Sequence, residues 1–191
     1  MKTGLCKVSC VLVGGFVILC GNNLNAQSKP WRLGAQVSVN VPVADMADDY
    51  ETGFGAAFFT EKAWNTFGLR AKLEYSRFNL KDIDTYYVSM SGNTSLVSLT
   101  GDWIWYFSQS SDKGMFGFWG AGIFNIKTDV NTYGSVNISG SGDATRAGLN
   151  LGFGYNFNRN LGAEVKIVGV LAGSDNESAT IYTQASFSYR F

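Results

Sequence analysis

Hydrophobic and polar residues alternate strictly over residues 179–191, which read ATIYTQASFSYRF. One face of this stretch carries Ile181, Thr183, Ala185, Phe187, Tyr189 and Phe191, and the other carries Tyr182, Gln184, Ser186, Ser188 and Arg190. A period of two predicts a β-strand, because successive side chains of a strand point to opposite faces. A strand with water on both sides gains nothing from these closely spaced terminal aromatic residues, so one face is expected to meet an apolar surrounding.

The same period recurs in earlier stretches of the chain. The predicted strands before the last one are residues 31–41, 53–60, 67–78, 95–107, 115–126, 146–157 and 161–171. The fifth of these, residues 115–126, is apolar on both faces, and its period does not orient it. Glycine-, serine- and asparagine-rich segments such as residues 127–143 are predicted to be loops.

The spacing of these strands predicts an all-β chain that folds as an eight-stranded antiparallel up-and-down barrel. Connections after the second, fourth and sixth strands are short, whereas the segments 42–52, 79–94 and 127–143 are long. Short turns on one rim and long loops on the other are typical of transmembrane barrels. An even number of strands places both termini on the short-turn rim.

Alternation alone leaves a soluble barrel with an apolar interior as the alternative. Aromatic residues near the predicted strand ends favour a bilayer, because membrane interfaces are enriched in them. They are Trp31, Trp64, Trp103, Trp105, Tyr155, Phe157, Tyr189 and Phe191. Small residues and opposite charges on the polar face suit the narrow lumen of an eight-stranded barrel. We therefore predict a transmembrane barrel.

The first residues differ in composition from the rest and are predicted to be a cleaved signal peptide, residues 1–26. Lys2 and Lys7 precede an apolar run that ends at Cys20, and Ala26 supplies a small residue at the cleavage position. A retained membrane anchor and a lipoprotein signal at Cys20 are the alternatives. All three cysteines lie in this segment, so residues 27–191, the predicted barrel domain, contain no thiol.

Charged residues on the polar faces of the strands are predicted to point into the lumen. They are Arg32, Arg70, Lys72, Glu74, Asp102, Arg146, Glu164, Lys166 and Arg190. One interpretation is a lining that sets the selectivity of a pore. The other, which the narrow bore favours, is an interior filled by ion pairs, since buried charges require partners.

The C-terminal pattern Phe187-x-Tyr189-x-Phe191 resembles the assembly signal of bacterial outer-membrane β-barrels. Residues 53–78, GFGAAFFTEKAWNTFGLRAKLEYSRF, are similar to a hairpin of the same broad family, which includes the small OmpA/OmpX-type barrels. The resemblance implies a bacterial outer-membrane location with both termini in the periplasm. It also implies contact with outer-membrane lipid and with the barrel-assembly machinery through the last strand.

Several kinds of chemistry have little support in the sequence. The chain has no histidine, and residues 27–191 have no cysteine, so a serine nucleophile would lack its usual base and no enzyme is predicted. Its 15 basic and 15 acidic residues form no basic block for nucleic acid. No cofactor or metal is predicted. Asp45, Asp48, Asp49 and Glu51 are interpreted as a solvated acidic loop, with a Ca²⁺ site as the alternative.

The predicted function is a structural or surface-interaction role carried by the loops 42–52, 79–94 and 127–143, in a monomeric protein. Tyr86, Tyr87 and Tyr133 lie in the long loops, where they would contact either a partner or the membrane interface. The alternative function is a narrow channel for ions or small solutes. A lipid-modifying enzyme is a weaker alternative, because related small barrel enzymes rely on a histidine.

Overall fold

The computed structural model describes residues 31–81, 83–85, 88–108, 110–134, 138–172 and 179–191. The predicted signal peptide and two of the loop tyrosines, Tyr86 and Tyr87, lie outside these residues, as does the side chain of Tyr133. Among the described residues, no helix is long and apolar enough to cross a bilayer.

The described chain is a closed antiparallel barrel with one short helix. Its elements are β1 (Arg32–Pro42), α1 (Met46–Asp49), β2 (Gly53–Ala63), β3 (Phe67–Asn79), β4 (Ile83–Thr85), β5 (Val88–Tyr106), β6 (Gly114–Gly134), β7 (Ile138–Asn156), β8 (Leu161–Val170) and β9 (Thr180–Arg190). Eight strands form the wall, because β3 pairs with β5 and β1 pairs with β9, while the three-residue β4 pairs only with β5. The predicted up-and-down barrel is confirmed.

Alternation places polar residues inside the barrel and apolar residues outside. On β3 the lumen side chain of Arg70 is 2% exposed, whereas its outward-facing neighbours Leu69 and Leu73 are 39% and 48% exposed. On β9 Phe187 is 61% exposed, while Arg190 is buried. A barrel with buried charges and an exposed apolar belt is suited to lipid, so the soluble alternative is wrong.

Strand β6, which the sequence could not orient, turns three phenylalanines into the lumen. Phe116, Phe118 and Phe124 are almost fully buried. Opposite them on β7, Phe116 pairs with Gly154 and Phe118 with Gly152. The glycines have no side chain, which leaves the rings room to lie against the β7 backbone.

We predict that Gly154→Ala lowers the free energy of unfolding by about 1–3 kcal/mol, the usual effect of overpacking. The added Cβ would lie 2.6 Å from the carbonyl oxygen of Ala163 and would also meet the Phe116 ring. Urea unfolding in lipid vesicles measures the effect. Gly101→Ala is the matched control, because a Cβ there meets nothing within 4 Å. Equal unfolding free energies for both variants would contradict this packing.

Two predicted loops contain long strands, so their assignment as loops was wrong. Strand β6 runs on to Gly134 and β7 begins at Ile138, which leaves little of the predicted loop 127–143. Strand β5 begins at Val88, inside the predicted loop 79–94. These strands extend past the apolar belt, where the hydrogen bonds between neighbouring strands support them without a buried apolar face.

Candidate functional site

A network of six charged side chains fills the middle of the lumen. We call it the lumen network: Arg70, Lys72, Glu74, Asp102, Glu164 and Lys166, all buried. Arg70 bridges Asp102 at 3.0 Å and Glu164 at 2.7 Å, and Lys72 lies 3.2 Å from Glu164. Lys166 pairs with Glu74 at 2.9 Å. Three cations face three carboxylates, so the network balances its own charge, which buried ions require.

Neutral side chains complete the hydrogen bonds of these carboxylates. Gln36 donates to Glu164 at 2.7 Å, and Asn150 donates to Asp102 at 3.0 Å. Gln184 donates to Glu74. The network therefore reaches β1, β7 and β9 as well as the strands that carry its charges, and it joins opposite walls of the barrel.

The short-turn end of the lumen is closed by a second group of contacts. Glu61 accepts a hydrogen bond from Tyr106 at 2.9 Å and pairs with Arg190 at 3.4 Å. Arg32 pairs at 2.5 Å with Asp112, which belongs to the turn between β5 and β6. Beside these polar contacts lies an apolar cluster of Ala63, Ile104, Tyr106, Phe116 and Phe118.

An apolar cluster closes the other end of the lumen, towards the long connections. This loop-end cluster consists of Met46, Phe78, Leu96, Phe124, Val168, Val170 and Tyr182. Phe78 and Tyr182 meet edge to face at 5.4 Å between ring centroids. Met46 belongs to α1, which is held over the barrel mouth where Lys81 donates to the carbonyl of Ala47 at 2.6 Å. The lumen is thus filled at three levels.

The hairpin of β6 and β7 projects beyond the apolar belt. We call residues 125–134 and 138–147 the loop-end wall. Its outward-facing side chains include the exposed Asn125, Lys127, Asp143 and Thr145. Strand β8 pairs with β7 only from Gly148 to Asn156. No described strand pairs with residues 138–145 on that side, so within the described part of the chain these residues of β7 form a strand edge.

The edge presents the backbone of alternate residues. The carbonyl of Ala147 accepts a hydrogen bond from the Leu171 amide at 2.9 Å, so the polar backbone groups of Ala147 point towards β8. Alternation along a strand directs those of Ser141, Asp143 and Thr145 to the same side. The backbone groups of the residues between them bond to β6.

A cavity of about 280 Å³ lies inside the loop-end wall. It is lined by Tyr50, Ile126, Thr128, Gly142, Asp143, Ala144, Arg146, Leu171 and Thr180. Arg146, predicted as a lumen charge, is half-buried here and is separate from the lumen network. The acidic residues Asp48 and Asp49 lie in α1. No group of three His, Cys, Asp or Glu side chains in the described part of the chain could hold a metal ion.

Comparisons with known proteins identify the fold. No protein-family model and no curated sequence matches the chain. Among solved structures, the N-terminal β-barrel domain of Pseudomonas aeruginosa OprF is similar with a TM-score of 0.54 at 15% identity, over 86% of this chain and 100% of that chain. The Yersinia pestis attachment invasion locus protein Ail gives 0.52 at 14% identity, over 84% and 97%. Ail in complex with the heparin analogue sucrose octasulfate gives 0.50 at 16%, over 86% and 97%.

The chain has the fold of the small outer-membrane β-barrels. This confirms the resemblance inferred from the sequence at the level of fold. Together with the exposed apolar belt, it supports a location in the bacterial outer membrane. The outward-facing residues of the C-terminal pattern, Phe187, Tyr189 and Phe191, are 61%, 51% and 73% exposed and belong to that belt.

Two charged residues of this outer-membrane barrel were missed in the sequence. Glu61 was assigned to a tight connection, but β2 continues to Ala63 and buries it completely. The sequence does indicate that Glu61 faces the lumen, because the alternation of Ala57, Phe59 and Glu61 continues past the predicted end of the strand. Asp112 had no such signal, since it lies in a turn and meets Arg32 only through the closure of the barrel.

Proposed function

We propose that this protein is a surface-interaction protein without enzymatic activity, in which a sealed barrel anchors the loop-end wall. The observation that carries the proposal is the edge of β7 over residues 138–145, which pairs with β6 on one side and with no described strand on the other. The partner would be a protein that adds an extended segment to this edge.

An open strand edge binds extended chains because its amide and carbonyl groups are already aligned for a β-ladder. Proteins usually protect such edges with proline, lysine or a bulge. Residues 138–147, ISGSGDATRA, contain neither proline nor lysine, and the pairing with β6 is continuous. Their small side chains at Ser139, Gly140, Ser141 and Gly142 leave the backbone accessible.

The orientation that suits this role places the short turns and both termini in the periplasm and the loop-end wall outside the cell. Outer-membrane barrels characteristically have long loops on the extracellular side. Phe187, Tyr189 and Phe191 would then present the assembly signal to the barrel-assembly machinery from the periplasm. We propose that the barrel acts as a monomer in outer-membrane lipid.

The filled lumen argues against the narrow channel. An ion would have to pass the loop-end cluster, the charge-balanced lumen network and the Arg32–Asp112 closure in turn. The sequence does not support a lipid-modifying enzyme, because the chain has no histidine to activate a serine.

We predict that Ser141→Pro/Thr145→Pro abolishes binding of extended peptides and leaves the barrel folded. Each proline removes an amide donor from the open edge while the hydrogen bonds of β7 to β6 remain. A displayed library of random peptides is selected on the vesicle-embedded protein, and the affinities of the selected peptides are then measured. We expect a loss of at least about tenfold, corresponding to roughly 1.4 kcal/mol.

The matched control is Ser141→Ala/Thr145→Ala, which shortens the same side chains and keeps both amides. Heat-sensitive gel mobility verifies that each variant forms a barrel. Peptides that bind the proline variant as tightly as the wild type would rule out pairing at this edge.

A further inference from the structure

The outer face of the barrel carries a lysine among aromatic rings at its short-turn rim. We call this group the rim patch: Trp31, Lys62, Trp64, Phe67 and Trp103. The Lys62 ammonium lies 5.7 Å from the ring centroid of Trp31 and 5.5 Å from that of Trp64, within the range of cation–π attraction. Trp64 stacks on Phe67 at 4.7 Å, and Phe67 stacks on Trp103 at 5.4 Å. One cation is therefore held at the end of a continuous aromatic row.

The rim patch lies at the border of the apolar belt. Lys62 pairs across β2 and β3 with Leu69, which is 39% exposed, and Phe58 lies further into the belt at 65% exposure. On the other side of Lys62, β2 ends at Ala63 and the turn begins. Tryptophans and lysines at such borders lie at the level of lipid headgroups.

The charge of Lys62 faces outwards and meets no carboxylate of the described chain. Among the described residues, no carboxylate forms an ion pair with it, and its neighbour Glu61 points into the lumen, where it contacts Tyr106 and Arg190. An ammonium group has three donors and no acceptor. At the level of the headgroups, the lipid phosphate is an anion to which this ammonium group can donate hydrogen bonds.

We propose that the rim patch is a binding site for an anionic phospholipid, with the headgroup phosphate on Lys62 and an acyl chain on Leu69 and Trp103. The aromatic faces of Trp31 and Trp64 are already occupied by the Lys62 ammonium. A choline headgroup, which would otherwise be attracted to such faces, meets a like charge there. The site therefore selects phosphatidylglycerol over phosphatidylcholine.

Quenching of tryptophan fluorescence by brominated lipids tests the site. The protein is refolded in vesicles after Trp105→Phe and Trp119→Phe, which leaves the three tryptophans of the rim patch as reporters. Dibrominated phosphatidylglycerol is compared with dibrominated phosphatidylcholine. We expect an approximately fivefold preference for phosphatidylglycerol, the contribution of one lysine near a membrane surface. The preference should weaken as salt rises, because salt screens the exposed charge.

Lys62→Gln should abolish the preference, so that the two lipids quench about equally, whereas Lys62→Arg should retain it. Lys127→Gln, which removes a lysine from the loop-end wall, is the matched control and should leave the preference unchanged. Heat-sensitive mobility verifies folding for all variants. A wild type without preference, or a preference that survives Lys62→Gln, would overturn the proposal.

Discussion

Glu164→Gln is expected to lower the free energy of unfolding by about 3–5 kcal/mol, the usual cost of removing one partner from a buried ion pair. Glu164 is the acceptor shared by Arg70 at 2.7 Å and Lys72 at 3.2 Å. Glutamine keeps the size of the side chain and removes its charge. Lys72 then keeps only the carboxylates of Glu74 and Asp102, each 4.0 Å away, and the lumen network carries one uncompensated positive charge.

Urea unfolding of the vesicle-embedded barrel measures this loss. The control is Glu51→Gln, an exposed carboxylate in the connection after α1, for which we expect a change within about 0.5 kcal/mol. Adding Lys72→Met to Glu164→Gln restores charge balance and should recover part of the stability. Similar losses for Glu51→Gln and Glu164→Gln would mean that the lumen network does not stabilise the barrel.

Much of the barrel could be predicted because a strand has one simple period. Residues 179–191 and the third strand show which face of the wall is polar. Because successive residues of a strand alternate between the two faces, Arg70, Lys72 and Glu74 are then placed on the lumen side. The barrel buries its polar face, so these positions were also the candidate lumen charges. Period two assigns faces without any knowledge of the partner strand.

The partners of these charges could not be predicted. Arg70 meets Asp102 and Glu164 through the register of β3 with β5 and through the closure of the barrel, which brings β8 across the lumen from β3. The orientation of β6 has the same cause. Its two apolar faces are distinguished only by the glycines opposite, since Phe116 and Phe118 need the space above Gly154 and Gly152.

The error over residues 127–143 has a different origin. Glycine, serine and asparagine favour turns where a strand would have to bury one face. The loop-end wall buries little, and the ladder between Lys127 and Asp143 continues in water without an apolar side. The composition therefore correctly predicted that these residues are exposed to solvent. The further inference that exposed residues of this kind form no strands was wrong.

Single-channel recording tests most directly whether the barrel is a sealed anchor. Refolded protein with heat-sensitive mobility is inserted into a planar bilayer, and current is recorded across a range of voltages. We predict no conductance steps, because the loop-end cluster, the lumen network and the Arg32–Asp112 pair fill the lumen. Reproducible steps whose size changes after neutralisation of Arg70 or Glu74 would contradict the sealed lumen and make the narrow channel the better account.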